Sequence, residues 1–327
     1  MLKKTPQGVF LFCYNVHMQT VSGKLISKIG IGSYGIGGRG HRDMEITEKA
    51  DDEKYISALI YTLEGGSNFT EIALGYGRGQ SLKLFKQALD KSLLSREDVF
   101  ITHSLYPRDL ESIEVMNQDT AEFYRIMESS YADSTLVTQS LIIKFGESAI
   151  YDWLNNLLNS NKTRFVSLSN ASPDWVKKFK QEFGDKFFAH EGHLSFEVRA
   201  LQEKGVFETC DELGVENIIW RPLRRNKTLQ HNWELLVELS EKYEKSQSQI
   251  ILNWICELGY RPMVFSTSNE HIDENLAAAG FKMSPEDNQK MTDFRPDEYN
   301  LPAIDWEGPG IDDDIVAQAN EFESFVA

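Results

Sequence analysis

The chain is poor in cysteine and in positive charge, and it contains no long apolar run. Its three cysteines, Cys13, Cys210 and Cys256, stand far apart and form no C-x-x-C pair. An odd number at such spacing argues against a disulfide framework and against a zinc site, and it points to a reducing compartment. The 34 lysines and arginines against 50 aspartates and glutamates leave a net charge of −16. An acidic surface repels phosphate backbones and anionic lipid, so neither nucleic acid nor a membrane surface is an expected partner. No apolar stretch approaches the ~18 residues that cross a bilayer. The run from Val9 to Tyr14 is too short for the apolar region of a signal peptide, and no small-residue cleavage site follows it. The cytoplasm is the expected location. Also missing is a G-x-G-x-x-G that opens a helix after a strand, the fingerprint of an open dinucleotide-binding sheet. GIGSYGIGGRG, residues 30–40, is glycine-rich but has a different spacing and no helix directly after it.

What is present is enough apolar residue, 41%, to fill a globular core. The second positive signal is a repeated strand-then-helix alternation from residue 25 to about 280. The strand runs are LISKIGIGS, SNFTEI, DVFITHSL, TLVTQSLIIK, RFVSLSN, FFAHEGHLS, ENIIWRPL and YRPMVFSTS. Helical patterns follow them. In DDEKYISALIYTLEGG, Ile56, Leu59, Ile60 and Leu63 recur at helical spacing before two glycines, and Ser172-Pro173-Asp174 is a helix start. Residues 118–133 read as one helix and 232–258 as one long helical region. Eight such units over about 255 residues match a (β/α)8 TIM barrel, with a doubly wound open sheet as the runner-up. The division is an N-terminal hairpin segment, 1–24, in which 8–22 reads as the hairpin, then the barrel, 25–296, then an acidic C-terminal tail, 297–327. The tail reads either as a loop over the barrel or as a partly disordered arm.

SGKLISKIGIGSYGIGG, GSNFTEIALGYGRGQS, TRFVSLSNASPDWV, IIWRPL, and STSNEHIDENLAA followed by MSPED stand in this order. Together they resemble the aldo-keto reductase family over about residues 18–295. The resemblance implies the barrel fold and hydride transfer from NADPH to an aldehyde or ketone. In that chemistry a tyrosine donates the proton, a lysine and an aspartate tune it, and a histidine orients the carbonyl. Tyr76 matches the acid tyrosine, and Glu71 falls on the aspartate. The lysine position falls on Ser104. The histidine position falls on Ile143, or on Lys144 if the strand slips by one. A phenol of pKa near ~10 is a poor acid unless a nearby cation stabilises its phenolate. Losing members of a cooperating set costs orders of magnitude in rate. The candidate replacements are Lys144 and His193, the latter sharing strand parity with Glu191. His103, next to Ser104, is expected to face the helices, because neighbouring strand residues face opposite sides.

The cofactor positions are better kept. By the resemblance, Ser169 and Asn170 match the pair that holds the nicotinamide carboxamide, and Trp220 the aromatic that stacks on its ring. Glu191 replaces a glutamine, and Arg221 replaces the serine before Pro222 and Leu223. RPLRRNK gathers Arg221, Arg224, Arg225 and Lys227, read either as a phosphate clamp or as a solvated basic loop that pairs with the tail. In the last loop Phe265 and His271 replace the lysine and arginine that hold the adenosine 2′-phosphate. Ser266, Glu274 and Asn275 are retained. The implied cofactor is NAD(P)(H), without a preference for NADP. The reading is a divergent family member that binds a dinucleotide, with weak or no standard carbonyl reductase activity and a regulatory role. The alternatives are an active oxidoreductase that uses Tyr76 and Glu71 with Lys144 or Arg221 as the cation, a lyase or epimerase acting on a small phosphorylated molecule near Arg221 and His193, and an interaction protein that docks a protein partner through 297–327.

Overall fold

The computed structural model describes residues 2–4, 10–12, 18–21, 24–41, 45–297, 301, 303–308 and 311–320. Its centre is a closed barrel of eight parallel strands. They are β1 (Gly30–Gly32), β2 (Phe69–Ala73), β3 (Phe100–Ser104), β4 (Ala132–Thr138), β5 (Thr163–Ser169), β6 (Phe187–His193), β7 (Glu216–Trp220) and β8 (Arg261–Val264). Each pairs with the next in sequence, and β8 closes on β1 through Met263 opposite Gly30. This is the (β/α)8 barrel that the alternation predicts. Strands β2, β3, β4 and β6 are buried at every position, as expected where helices cover the outer face. Helices begin on side-chain caps at Asp51, Ser112, Ser172, Ser246, Ser268 and Ser284, each accepting from a backbone N–H of the first turn. No helix among the described residues is long and apolar enough to cross a membrane.

The N-terminal end of the barrel is filled by Ile26, Phe69, Phe100, Phe188, Ile218 and Met263, with the Phe100 and Phe188 rings 4.8 Å apart. Asp133, fully buried at the start of β4, is held there by Lys24 at 3.1 Å, Arg96 at 2.7 Å and Arg164 at 3.3 Å. Three cations around one carboxylate offset its desolvation. The C-terminal end is left open, and the sequence elements of the site converge there.

Several boundaries differ from the sequence reading. The run LISKIGIGS is two strands. Lys24–Ser27 pairs antiparallel with Met18–Val21, and only Gly30–Gly32 joins the barrel, where a Cβ on Gly30 would collide with Met263 and Phe69. The hairpin expected over 8–22 is displaced accordingly. Leu2–Lys4 pairs with Phe10–Phe12, while residues 8, 9, 13–17 and 22 lie outside the described residues. The helix expected over 118–133 is Ile113–Met127, closed by Glu128 at φ 48°. The region 232–258 is broken at Glu244, φ 53°, into Glu234–Tyr243 and Gln247–Glu257.

The fourth strand is the consequential difference. It ends at Thr138, and Gln139–Phe145 is a helix capped by the Thr138 hydroxyl, which accepts from Leu141 N at 3.2 Å. The run Leu141-Ile142-Ile143 reads as strand because a short apolar run has no period that separates the two structures. Of the tail, Ile311–Asn320 is a helix whose Ile311 and Ile315 are buried in the main core, so this part lies against the barrel.

Candidate active site

The open end of the barrel is a cleft of about 1310 Å³. After β2 the chain turns through Gly77 at φ 56° and Gly79 at φ 83°. Gly77 N donates to Gly40 O at 2.9 Å, and a Cβ at Gly77 would stand 3.0 Å from Ile36 O. The GYGRG turn therefore fits beneath the glycine-rich loop only without that side chain, and it aims Tyr76 into the cleft. Tyr76 Oη donates to Glu71 Oε1 at 3.3 Å. The Ser104 hydroxyl also bonds to Glu71. Glu71 is 5% exposed, and burial raises its carboxyl to about 7 against the opposing pull of those two hydroxyls. Burial and the charges of Glu71 and Glu191 push the Tyr76 phenol well above its ordinary value. Both shifts are what a carboxyl and a phenol undergo when no cation shares their site.

The fourth strand ends at Thr138, short of Ile143 and Lys144. Register sets Leu136 beside Ser104 and Thr138 beside Ser169, and both Leu136 and Thr138 line the cleft. Ile143 and Lys144 sit instead on the helix after it, at the rim. Lys144 Nζ donates to Leu110 O at 2.7 Å and Pro107 O at 3.2 Å, so its charge is spent on the loop after β3. His103 faces outward, 3.2 Å from Asp119 and stacked on Phe123 at 4.2 Å.

Strands β5 to β7 build the opposite wall. Ser169 Oγ donates to Glu191 O at 3.1 Å, and Asn170 N to the same oxygen at 3.0 Å. Asn170 at φ 49° and Arg221 at φ 52° each follow a strand end in left-handed backbone. Such strain, about 1–3 kcal/mol per residue, concentrates at functional sites. Trp220 Nε1 donates to Asn170 Oδ1 at 3.2 Å, and Asn170 Nδ2 donates to Asp312 Oδ1 at 2.7 Å. The Ser140 hydroxyl donates to the other Asp312 oxygen, and Arg108 pairs with Asp313 at 2.5 Å. Burial raises the Asp312 carboxyl, while the bonds from Ser140 and Asn170 hold it down. Glu191 lines the cleft at 7% exposure, and its Oε2 has no hydrogen-bond partner. His193 packs on Trp220 with ring centroids 4.7 Å apart; burial, Arg221 and Arg224 push its imidazole well below the ordinary value. Tyr34, His41, Tyr76 and Tyr106 form one aromatic group, with His41 and Tyr106 at 4.5 Å and Tyr34 and Tyr76 at 5.2 Å.

The basic loop divides in two. Arg221, Leu223 and Arg225 line the cleft. Arg224 is a structural residue, fully buried and paired with Glu197 at 3.0 Å, so the clamp reading does not extend to it. At the far end Phe265, Ser266, His271, Glu274 and Asn275 line the cleft with Ser246 and Gln247. Ser246 Oγ donates to Glu274 Oε2 at 3.2 Å. The first turns of Gln247–Glu257 and Asn269–Ala277 both open there. Phe265 packs beside Tyr55 at 6.5 Å, and His271 is exposed. Sequence reasoning missed Tyr106, Thr138, Ser140 and Asp312. Asp312 stands in an acidic run, IDDD, with nothing to mark one carboxylate from the next.

The Glu71 shift has a thermodynamic consequence. The native chain holds this proton up to about pH 7, and the unfolded chain only to about 4.5. Native protein therefore binds more protons across that window, and its stability falls as pH rises through it. Urea unfolding near about pH 5 and about pH 8 should show a decline in wild type that is smaller in Glu71→Gln, by up to about 3 kcal/mol. Equal declines in the two proteins would show that Glu71 titrates normally.

A sequence model described as the Aldo/keto reductase family matches residues 28–295. The glyoxal reductase of Bacillus subtilis is 24% identical over 250 residues, 73% of this chain and 88% of that protein. The NADPH-dependent alpha-keto amide reductase of Saccharomyces cerevisiae is 32% identical over 178 residues, 51% of this chain and 57% of that one. Among solved structures, a thermostable aldo-keto reductase in complex with the inhibitor epalrestat gives a TM-score of 0.71 at 20% identity, over 84% of this chain and 98% of its own. An aldo-keto reductase of Bombyx mori in complex with NADP gives 0.67 at 16% identity, over 86% and 93%.

Proposed function

Because this chain belongs to the aldo/keto reductase family, we propose that its cleft binds a nicotinamide dinucleotide while its carbonyl reductase chemistry is weak or lost, leaving a regulatory role. The observation that carries the second half is the Tyr76–Glu71 pair. It is buried, its partner from β3 is the Ser104 hydroxyl, and the phenol is pushed away from the range of a useful acid.

The cleft suits a dinucleotide along its length. Trp220 offers a ring to the nicotinamide, with Ser169 and Asn170 as its polar neighbours. Arg221 and Arg225, which line the same cleft, bring charge suited to a pyrophosphate. At the far end the buried Oε1 of Gln247 lacks a partner, beside Glu274, Asn275 and two helix first turns whose N–H groups favour anions. Bound there, the dinucleotide would supply or accept the hydride of a redox reaction. Phe265 brings no charge to the adenosine 2′-phosphate position, so NAD(H) and NADP(H) bind with similar strength. Asp312 occupies the Asn170 amide, and a carboxamide must displace it.

Thermal unfolding with saturating NAD⁺, NADH, NADP⁺ or NADPH tests this reading. At a ligand concentration about 100 times Kd, each should raise Tm by about 3–6 °C. The rise should be larger in Asp312→Ala, which frees Asn170. No rise with any of the four removes the proposal.

A further inference from the structure

Glu71 and Glu191 line the same cleft, and the charge of one raises the carboxyl of the other. Glu71 has only hydroxyl partners, Tyr76 and Ser104. Glu191, more than nine-tenths buried, has one oxygen with no partner at all. Among the described residues no lysine or arginine is among the groups that shift either carboxyl. Of the other cations that line the cleft, Arg39 pairs with Glu48, Arg108 with Asp313 and Lys144 with two backbone carbonyls, while Arg221 and Arg225 lie over the Trp220 and Tyr34 rings.

Two buried carboxyls without a counter-charge either keep their protons or take a cation from solution. The surroundings favour an organic cation. The rings of Tyr76 and Tyr106 are 6.0 Å apart beside the carboxyls, and aromatic faces attract ammonium groups. A hard metal ion needs about six oxygen ligands, and no cluster of three or more metal-ligating side chains occurs among the described residues.

We propose that this part of the cleft binds the ammonium group of a small aliphatic amine, held between Glu71 and Glu191 and against Tyr76. The inference rests on the reading of this cleft as the ligand-binding cleft, and it names the ligand class taken there beside a dinucleotide. A carbonyl compound that carries a primary amine brings to Tyr76 the positive charge that the chain lacks at Ser104. Such a charge favours the phenolate and so makes the phenol a better acid.

The probe is n-propylammonium chloride, titrated into the full chain by calorimetry, with 1-propanol, potassium chloride and magnesium chloride as controls. Saturable binding of propylammonium alone is expected, weakened by at least about tenfold in Glu191→Gln and in Glu71→Gln. Ser104→Lys, which installs an ammonium of its own, should abolish it while the dinucleotide-induced rise in Tm persists. No saturable binding, unchanged affinity in both glutamine variants, or equal binding of potassium or magnesium overturns the proposal. A dinucleotide response without propylammonium binding removes this inference alone. Propylammonium binding without a dinucleotide response removes the dinucleotide reading and leaves the ammonium site standing.

Discussion

Ser104→Lys is expected to raise NADPH-dependent turnover of simple aldehydes by about 10²–10⁴-fold over a wild type close to background. Ser104 ends β3, points into the cleft and already touches Glu71. A lysine there places an ammonium next to both the carboxylate and the phenol. Glu71 would fall from about 7 back toward the ordinary carboxylate range and become a fixed anion. The ammonium would offset the burial and the Glu71 and Glu191 charges that now hold the Tyr76 proton. Turnover should vanish again in Ser104→Lys/Tyr76→Phe, measured by loss of reduced nicotinamide absorbance. Adding Thr138→His should raise it further, because Thr138 ends β4 and lines the same cleft. A Ser104→Lys protein that folds and binds dinucleotide yet turns nothing over would mean that the absent cation is not what limits Tyr76.

What the sequence disclosed follows from how local each signal is. The turn after β2 is legible because Gly77 and Gly79 adopt positive φ, so their identity records the backbone. Ser172-Pro173 is legible for a similar reason, since its hydroxyl accepts from Trp175 N and the proline fits the first helical turn. The end of β4 is not legible. Thr138 is a strand residue and a helix cap at once, and the apolar residues after it satisfy either structure. Asp312 reaches Asn170 across 142 positions, and Arg224 reaches Glu197 across 27. Neither pairing leaves a mark on its neighbours, so nothing in the acidic run or the basic loop tells which one charged residue of each is buried.

The second large effect concerns that basic loop. Glu197→Ala should cost about 3–5 kcal/mol of folding stability, the range seen when one partner of a buried ion pair is removed. Both side chains are fully inaccessible, and Glu197 also accepts from the Thr228 hydroxyl at 2.9 Å. The alanine removes the carboxylate that pairs with the buried Arg224 guanidinium, and left-handed backbone at Arg224, Arg225 and Asn226 leaves the loop little freedom to carry that charge out. Arg224→Met/Glu197→Leu should cost less than Glu197→Ala alone, because it removes both charges together and keeps most of the volume. Urea unfolding measures all three proteins. A loss below about 1 kcal/mol in Glu197→Ala would show that Arg224 escapes to water. Arg224 would then be as available to an anion in the cleft as Arg221 and Arg225, and the structural role assigned to it here would pass to the cleft.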